Sequence, residues 1–372
     1  MDEPGSPAPN PADQPNPANS EHIPTTPTNP NKSNKKKILI IVVIAVVLLG
    51  LLVMDWWAGR KNPVTVTDNA ATNALAAKAT NEATTANDGH LTLDTSKNYG
   101  NKYANGLLPV GDGKYDSAAK KGYIYTCSTY ANNLTSGQGG GASQRGPWFT
   151  NNNTEYHINK KSHIAGNVVW QASFSNTVSG DARTIVTNDL PSHHTGTFPV
   201  TSSDPAYAYD RNPNTIKGQS LTYSLSANPT YGDPQCMGGQ VGVMLTGVAI
   251  FNGFDAGGRD AGAWEVQDTC DGHPEKQGEY HYHTLSACIT DTSVQTVIGY
   301  ALDGFPITGP KVGANNYLTT SDLDECHGIT SQVMKDGKLV TTYHYVMTQD
   351  FPYSASCFRA KAIDPPGMPT RP

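Results

Sequence analysis

The chain has 372 residues, a net charge of −6, 36 glycines and 26 prolines, and 37% of its residues are hydrophobic. The negative charge argues against a protein that binds nucleic acid through a basic surface, because phosphate contacts need clustered lysines and arginines. We therefore expect no nucleic-acid partner.

The N-terminal residues 1–37 are rich in Pro and Asn and almost free of apolar side chains before the lysine cluster that ends them. Such a segment cannot bury enough apolar surface to offset the entropy that a chain loses on folding. We predict a disordered tail here.

Residues 38–57 are apolar without a charge from Ile38 to Met54 and end in Trp56 and Trp57. This length is sufficient for a helix to cross a bilayer. Lysines precede the segment, so the positive-inside rule places the N-terminus in the cytosol and the rest of the chain outside. A cleaved signal peptide is the alternative, but no small-residue cleavage site follows the apolar run. The sequence predicts a single-pass signal anchor in the cell membrane.

Residues 58–98 are rich in Ala, Thr and Asn and show no apolar stripe, which predicts a flexible linker. From residue 99 to 363 the segments are short, rich in β-branched and aromatic residues, and separated by Gly, Asn and Pro. This pattern predicts a mainly β extracellular domain, either a sandwich or two packed sheets, followed by a Pro-rich tail over residues 364–372. The predicted strands are residues 123–130, 168–174, 183–187, 221–225, 241–251, 297–302 and 339–347, with a short helix within 256–266.

All six cysteines follow the predicted anchor. An even number of cysteines in an oxidising compartment indicates disulfides rather than thiolate metal ligands.

The segment from Cys270 to Cys288 contains three of the eleven histidines of the chain, His273, His281 and His283. Residues 280–283 read Tyr-His-Tyr-His, an alternation with the period of a β-strand, so His281 and His283 share one face. Turn residues before His273 and at residue 278 predict a hairpin that brings His273 towards the other two histidines.

An internal repeat is visible downstream of residue 240. Residues 247–254 are similar to 299–306, and each segment is followed by Asp-x-Cys, a Tyr-His-Tyr strand and a further cysteine. The repeat predicts a duplicated supersecondary unit in which Val346 takes the place of His283. It also predicts disulfide pairs within each unit, which leaves the two remaining cysteines for each other. The predicted pairs are Cys270–Cys288, Cys326–Cys357 and Cys127–Cys236.

These motifs resemble the YHYH family, which is named after the tetrapeptide at residues 280–283. The similarity extends from about residue 180 to 360 and includes Cys-Asp-Gly-His at 270–273, Leu-Asp-Glu-Cys-His-Gly at 323–328 and Asp-Phe-Pro-Tyr at 350–353. Two departures are His327, where the family pattern leads us to expect Asn, and Asp189-Leu190 in place of a Gly-apolar pair. The resemblance implies a secreted or membrane-attached protein with the family's fold, and it implies no reaction.

The three histidines predict a transition-metal site, with His194 or His344 as a fourth ligand or as a residue that supports the ligands, because neutral imidazole binds Zn and Cu well. Asp271 and Glu279 are the predicted carboxylates that orient the imidazoles or act as a base. A layer of hydrogen-bonded Tyr and His side chains without metal is the structural alternative.

Three functions are compatible with this sequence. The first is a membrane-anchored protein that binds a metal without turnover. The second is a metal-dependent hydrolase of the cell envelope, so the sequence leaves enzymatic activity open. The third is a glycan-binding or adhesion module without metal. The sequence identifies neither a small ligand nor an envelope component as the partner.

Overall fold

The computed structural model describes residues 90–127 and 144–366. The predicted tail over 1–37, the predicted signal anchor over 38–57 and linker residues 58–89 lie outside the described residues. Within the described ranges, no helix is both long and apolar enough to cross a membrane.

Strands are the main regular structure of the described residues, which confirms the mainly β prediction. Helix is confined there to α1 (Ala261–Trp264) and four 3-10 helices, Asn151–Asn153, Ile158–Lys160, Pro205–Ala208 and Thr320–Asp322. The first eight strands are β1 (Leu107–Pro109), β2 (Tyr115–Asp116), β3 (Ile124–Tyr125), β4 (Phe149–Thr150), β5 (Glu155–His157), β6 (Phe174–Ser179), β7 (Ala182–Thr187) and β8 (Leu221–Ser226). The other ten are β9 (Gln240–Met244), β10 (Ala249–Phe251), β11 (Gly272–Pro274), β12 (Tyr280–Tyr282), β13 (Val297–Ala301), β14 (Pro306–Thr308), β15 (Lys311–Gly313), β16 (Asn316–Tyr317), β17 (Gly328–Lys335) and β18 (Lys338–Val346).

The centre of the fold is an eight-stranded sheet in the order β11-β12-β10-β9-β13-β14-β18-β17. Its neighbouring strands are antiparallel except for the pairs β10–β12 and β14–β18, which are parallel. The order and directions of the strands are therefore the same when the sheet is read from either edge towards the middle. The sheet consists of two equivalent halves, and the predicted duplication is visible in its topology.

The two halves meet at the β9–β13 pair, where Val243 lies opposite Tyr300. β9 turns into β10 at Gly247 and β13 turns into β14 at Gly304, and both glycines have left-handed backbones with φ of 93° and 91°. A left-handed φ favours glycine, because it has no Cβ. The topology thus equates β10 with β14. The repeat in the sequence, which aligns residues 247–254 with 299–306, matches β10 with β13 instead. Both strands are apolar and are followed by a turn that contains Gly, so their sequences are similar although their positions in the sheet are not equivalent.

A three-stranded sheet, β6-β7-β8, covers part of this large sheet. Residues of β8 alternate between buried and exposed, and Tyr223 and Leu225 belong to the same core cluster as Val243. Arg183 of β7 is fully buried and places its guanidinium 3.8 Å from the ring centre of Tyr300 in β13. The two sheets therefore pack as layers around a shared core.

Some predicted strands differ from those observed. Val168 makes one isolated bridge with Thr195, and Val169 is 77% exposed, so residues 168–173 form no strand. The predicted strand 241–251 is divided into β9 and β10 by the turn at Gly247. β17 was not predicted, because it is rich in Thr, Ser, Gln and Lys, although its partner β18 covers it along its whole length.

The folded region begins before Tyr99, the boundary expected from composition. The Leu93 amide donates to the Thr330 carbonyl of β17 at 3.0 Å, and the Leu93 side chain is buried in a core cluster. Residues 91–93 consequently extend the large sheet from a segment that the sequence assigns to the linker.

Three disulfides connect the described chain, and they are the pairs predicted from the repeat. The first half of the large sheet contains Cys270–Cys288, the second contains Cys326–Cys357, and Cys127–Cys236 connects β3 to the region before β9.

Candidate metal centre

Three histidines lie together at one edge of the large sheet. β11 and β12 are antiparallel, and His273 lies directly opposite His281. His283 follows two residues after His281, so both side chains lie on one face of the strand. One ring nitrogen of each of the three histidines can be chosen so that the three atoms lie within 4.8 Å of one another, and all three side chains are buried.

The tight hairpin between β11 and β12 fixes this arrangement. Gly278 has φ of 92°, its amide donates to the Glu275 carbonyl, and the Glu275 carboxylate accepts from the Glu279 amide at 3.0 Å. The Asp268 carboxylate accepts from the Tyr280 hydroxyl and from the Cys270 amide. These contacts hold the two strands in register, so that the expected approach of His273 to the other two histidines is observed.

A carboxylate that the sequence did not indicate completes the cluster. Glu265 directly follows α1, and its Oε2 lies 3.2 Å from His283 Nε2 and 3.4 Å from His273 Nε2. His281 Nε2 and His283 Nε2 are 3.1 Å apart. An ion bound tetrahedrally at about 2.0–2.1 Å has donor atoms about 3.3 Å apart. These three separations are close to those of donor atoms around one small ion.

Helix α1 positions Glu265 through buried polar contacts. The Asp260 carboxylate caps the helix by accepting from the Ala263 amide at 3.2 Å. The ammonium of the buried Lys161 donates to the Gly262 carbonyl at 2.6 Å and contacts the Gln267 side chain. A four-residue helix is too short to be stable alone, so these contacts define where Glu265 lies.

The hydrogen bonds of two histidines direct their free nitrogens into the cluster. His283 Nδ1 is 2.6 Å from the Asn252 carbonyl and His281 Nδ1 is 3.3 Å from the Glu279 carbonyl. Carbonyl oxygens only accept, so each Nδ1 carries the proton and each Nε2 has a lone pair. Two lone pairs 3.1 Å apart repel each other unless a cation lies between them.

Other atoms of the cluster lack partners as well. His273 Nδ1 and Nε2 and Glu265 Oε2 are buried polar atoms without a hydrogen bond. An unsatisfied buried polar atom costs about 1–3 kcal/mol, and native proteins contain few of them. These atoms are close to one another, which is the situation that a bound cation would satisfy.

Electrostatics keeps the imidazoles in the form that binds metals. Burial lowers the pKa of His273 and His281 well below the ordinary value and that of His283 to about 4. Burial, with Asp255 and Asp210 nearby, raises the pKa of Glu265 well above its ordinary range. The site therefore offers neutral imidazoles and a buried carboxyl group whose proton a bound cation would displace.

Two of the three equivalent positions in the second half of the sheet are apolar, and the third is His344. Ile329 lies opposite His344 as His273 lies opposite His281, and Val346 takes the position of His283. The surrounding network is retained, since the Asp324 carboxylate accepts from the Tyr343 hydroxyl at 3.1 Å. The same backbone frame is therefore compatible with Ile and Val, and the fold does not require the histidines of the first half.

Two predicted ligands lie elsewhere. His344 is fully buried in β18, and its ring nitrogens contact the Thr308 hydroxyl at 2.9 Å and the Ser331 hydroxyl at 2.8 Å. β18 and β12 are separated by four strands, which corresponds to about 24 Å between them. His194 Nε2 lies 3.4 Å from the Thr269 hydroxyl, outside the cluster.

The predicted supporting carboxylates do not orient the imidazoles. The Asp271 carboxylate accepts from the Ala287 amide at 2.8 Å, and burial raises its pKa to about 6. Glu279 contributes its backbone carbonyl to His281, whereas its carboxylate Oε1 has no partner and burial raises its pKa to about 7. The sequence does not indicate Glu265, because a single acidic residue after a short apolar helix gives no periodic signal. The one available signal is that this charged residue stands between the apolar Trp264 and Val266.

Comparison with known proteins supports the resemblance seen in the motifs. Residues 222–317 match the family model described as YHYH protein. The matched segment runs from β8 to β16 and includes the three clustered histidines and Glu265. No curated protein matches the chain, and no solved structure does. Within this chain, residues 222–317 form the segment that matches the YHYH protein family.

Proposed function

We propose that this domain binds one transition-metal ion at His273, His281, His283 and Glu265. The observation that carries the proposal is the set of donor separations of 3.1, 3.2 and 3.4 Å among these side chains. No backbone constraint requires these distances, since the second half of the sheet has apolar residues at two of the three histidine positions.

The donor set favours zinc, with copper as the other candidate. Three imidazoles and one carboxylate are ligands of intermediate hardness, which suit Zn²⁺ and Cu²⁺. Zinc accepts a tetrahedral arrangement without preference from its d electrons, whereas Cu²⁺ prefers a tetragonal one. The three separations of 3.1, 3.2 and 3.4 Å are close to the tetrahedral value of about 3.3 Å, which supports zinc.

The site supports metal binding rather than turnover. A catalytic zinc site keeps one position for water or substrate, whereas a structural site uses four protein ligands. With Glu265 as the fourth ligand, no position is open. A metal-dependent envelope hydrolase would instead need Glu265 as a base beside a metal bound by histidines alone, and a glycan-binding module would need no metal.

We also propose that the domain lies in an oxidising compartment outside a membrane, attached by residues 38–57. The three disulfides support this location, because such bonds persist mainly in secreted and surface proteins. The charge pattern around residues 38–57 supports the orientation. Protease added to intact cells should remove the domain and leave the N-terminus protected. A domain that is protected in intact cells would contradict the proposed orientation.

Metal analysis of the purified full chain tests the proposed site. We expect one zinc ion per chain, released by a chelator and bound again on addition of zinc. The double variant His281→Ala, His283→Ala should lose this ion, whereas His194→Ala should retain it. If the wild-type chain binds no metal stoichiometrically after incubation with Zn²⁺ or Cu²⁺, the proposal is wrong.

A further inference from the structure

The Cys270–Cys288 disulfide has one histidine next to one of its sulfurs, and a ring nitrogen of the neighbouring His193 lies within 4.8 Å of both. His194 Nε2 lies 3.8 Å from Cys270 Sγ. The histidine is partly exposed and reaches this position from the segment before β8. An imidazole N–H beside a sulfur stabilises the thiolate form of that cysteine.

The two sulfurs of this disulfide differ in their exposure. Cys270 is fully buried, whereas Cys288 is partly exposed and follows the exposed Ala287. An incoming thiolate can therefore reach the sulfur of Cys288 more easily than that of Cys270. Attack on Cys288 makes Cys270 the leaving group, which is the sulfur beside His194.

The corresponding disulfide of the second half is buried at both sulfurs and has no histidine among its hydrogen-bond contacts within the described ranges. Cys326 and Cys357 are both fully buried. Cys357 Sγ lies 3.8 Å from the Glu325 carbonyl oxygen, which is an acceptor and does not stabilise a thiolate. Among the hydrogen bonds of residues 90–127 and 144–366, no histidine contacts a sulfur of this disulfide or of Cys127–Cys236. The duplicated fold thus provides one disulfide with a histidine donor and one without.

We propose that Cys270–Cys288 is a thiol–disulfide exchange site whose reaction partner is a dithiol. One thiolate of the dithiol attacks Cys288 Sγ, the bond between Cys288 and Cys270 breaks, and Cys270 leaves as a thiolate beside His194. The second thiol of the partner, as its thiolate, then attacks the partner's own sulfur in the mixed disulfide and releases Cys288. Cys270 and Cys288 together gain two electrons and two protons, and the dithiol is oxidised to a disulfide.

His194 acts in this proposal as a positioning residue that stabilises the leaving sulfur. The loop closed by Cys270–Cys288 contains all three clustered histidines, so exchange acts on the segment that holds the candidate metal centre. The exchange chemistry itself does not depend on a metal. It can be measured on chelator-treated protein, and its failure would leave the metal proposal untouched.

Reduction of the native full chain with graded dithiothreitol, followed by alkylation and peptide mass spectrometry, tests the proposal. We expect Cys270 and Cys288 to be alkylated together, at least about tenfold faster than the fully buried Cys326 and Cys357, because exchange rates follow access to sulfur and stability of the leaving thiolate. Cys127 and Cys236 are both partly exposed, so faster reduction of Cys270–Cys288 than of that pair would come from His194 rather than from exposure. Glutathione, a monothiol, should form its mixed disulfide on Cys288. Reduction of Cys127–Cys236 at the same rate or faster would overturn the proposal, and so would glutathione found on Cys270.

The variant His194→Leu separates the histidine from simple exposure. It should slow reduction of Cys270–Cys288 about five- to tenfold through the loss of thiolate stabilisation. Reduction of Cys127–Cys236 in the same sample serves as the control for folding and should keep its rate. An unchanged rate at Cys270–Cys288 in a variant with an unchanged control rate would exclude the role of His194.

Discussion

His283 and Val346 occupy equivalent positions in the two halves of one sheet. Each follows a Tyr-His-Tyr segment, in β12 and in β18, and each strand has a parallel neighbour in the same register. The residue opposite the central histidine also differs, His273 in the first half and Ile329 in the second. The second half of the sheet can therefore be compared directly with the first, because it has apolar residues at two of the three histidine positions of the candidate centre.

Replacing the histidines by their counterparts should remove the metal and preserve the fold. In the double variant His273→Ile, His283→Val, we expect no bound zinc. We also expect a metal-free free energy of unfolding that is higher by about 1–3 kcal/mol, because the two unsatisfied nitrogens of His273 and the close contact of His283 Nε2 with His281 Nε2 are removed. Metal analysis and urea unfolding in chelator measure both effects. The control His344→Leu should bind zinc normally. Full zinc binding by the double variant would show that the cluster is not the site.

Glu265→Gln tests whether the carboxylate is a ligand. The neutral amide should weaken zinc binding at least about tenfold, a loss comparable to that caused by perturbing the partners of metal ligands. Cobalt substitution gives a second measurement, because Co²⁺ bound by four ligands absorbs strongly in the visible range. We expect the variant to lose part of this absorption. Unchanged affinity with loss of a hydrolytic activity would instead identify Glu265 as a base and favour the hydrolase.

Two equivalent glycines allow a matched test of which half holds the site. A Cβ on Gly272 would lie 2.2 Å from the Tyr280 ring, and a Cβ on Gly328 would lie 2.1 Å from the Tyr343 hydroxyl. Each change to Ala should destabilise the protein by about 1–3 kcal/mol or more, because a buried ring must move. Only Gly272→Ala should weaken metal binding, as measured by zinc titration of the folded variants. Equal loss of affinity in both would contradict a site confined to the first half.

The buried His344 should make the fold sensitive to acid. Burial lowers its pKa to about 3, whereas in the unfolded chain the value is about 6.5. Folding stability from this group is therefore complete above about pH 6.5 and decreases as the pH falls towards 3. Between pH 8 and pH 5 the loss is about 2 kcal/mol. In metal-free protein, His344→Gln should show a correspondingly smaller decrease in the free energy of unfolding over this range. A decrease as large as that of the wild type would contradict a neutral buried His344.

Several features of the fold could be predicted because their signals are local. The alternation at Tyr280–His283 predicted a strand, and the repeated Asp-x-Cys and Tyr-His-Tyr order predicted all three disulfides. β17 and the boundary near Leu93 could not be predicted in this way. The residues of β17 are largely polar, and Leu93 lies at the end of the segment rich in Ala, Thr and Asn. Both are buried because strands from distant parts of the chain pair with them.

The site was predicted in part for the same reason. His273, His281 and His283 lie within one hairpin, so turn residues and strand period were sufficient to bring them together. His194 and His344 lie outside the cluster, and the presence of a histidine in the sequence does not indicate which strand will be its neighbour. The position of Glu265 beside the histidines depends on how α1 packs against the hairpin, and the local sequence does not indicate that packing.

The sequence alone determined the β class, the repeat, the cysteine pairs and the three-histidine hairpin, because each depends on residues close together or on a visible duplication. Only the tertiary structure decided that β9 and β13 join the two halves, that Glu265 faces the histidines and that His194 lies beside Cys270. These relationships depend on how separate segments pack, and packing between distant segments leaves no periodic trace in the chain.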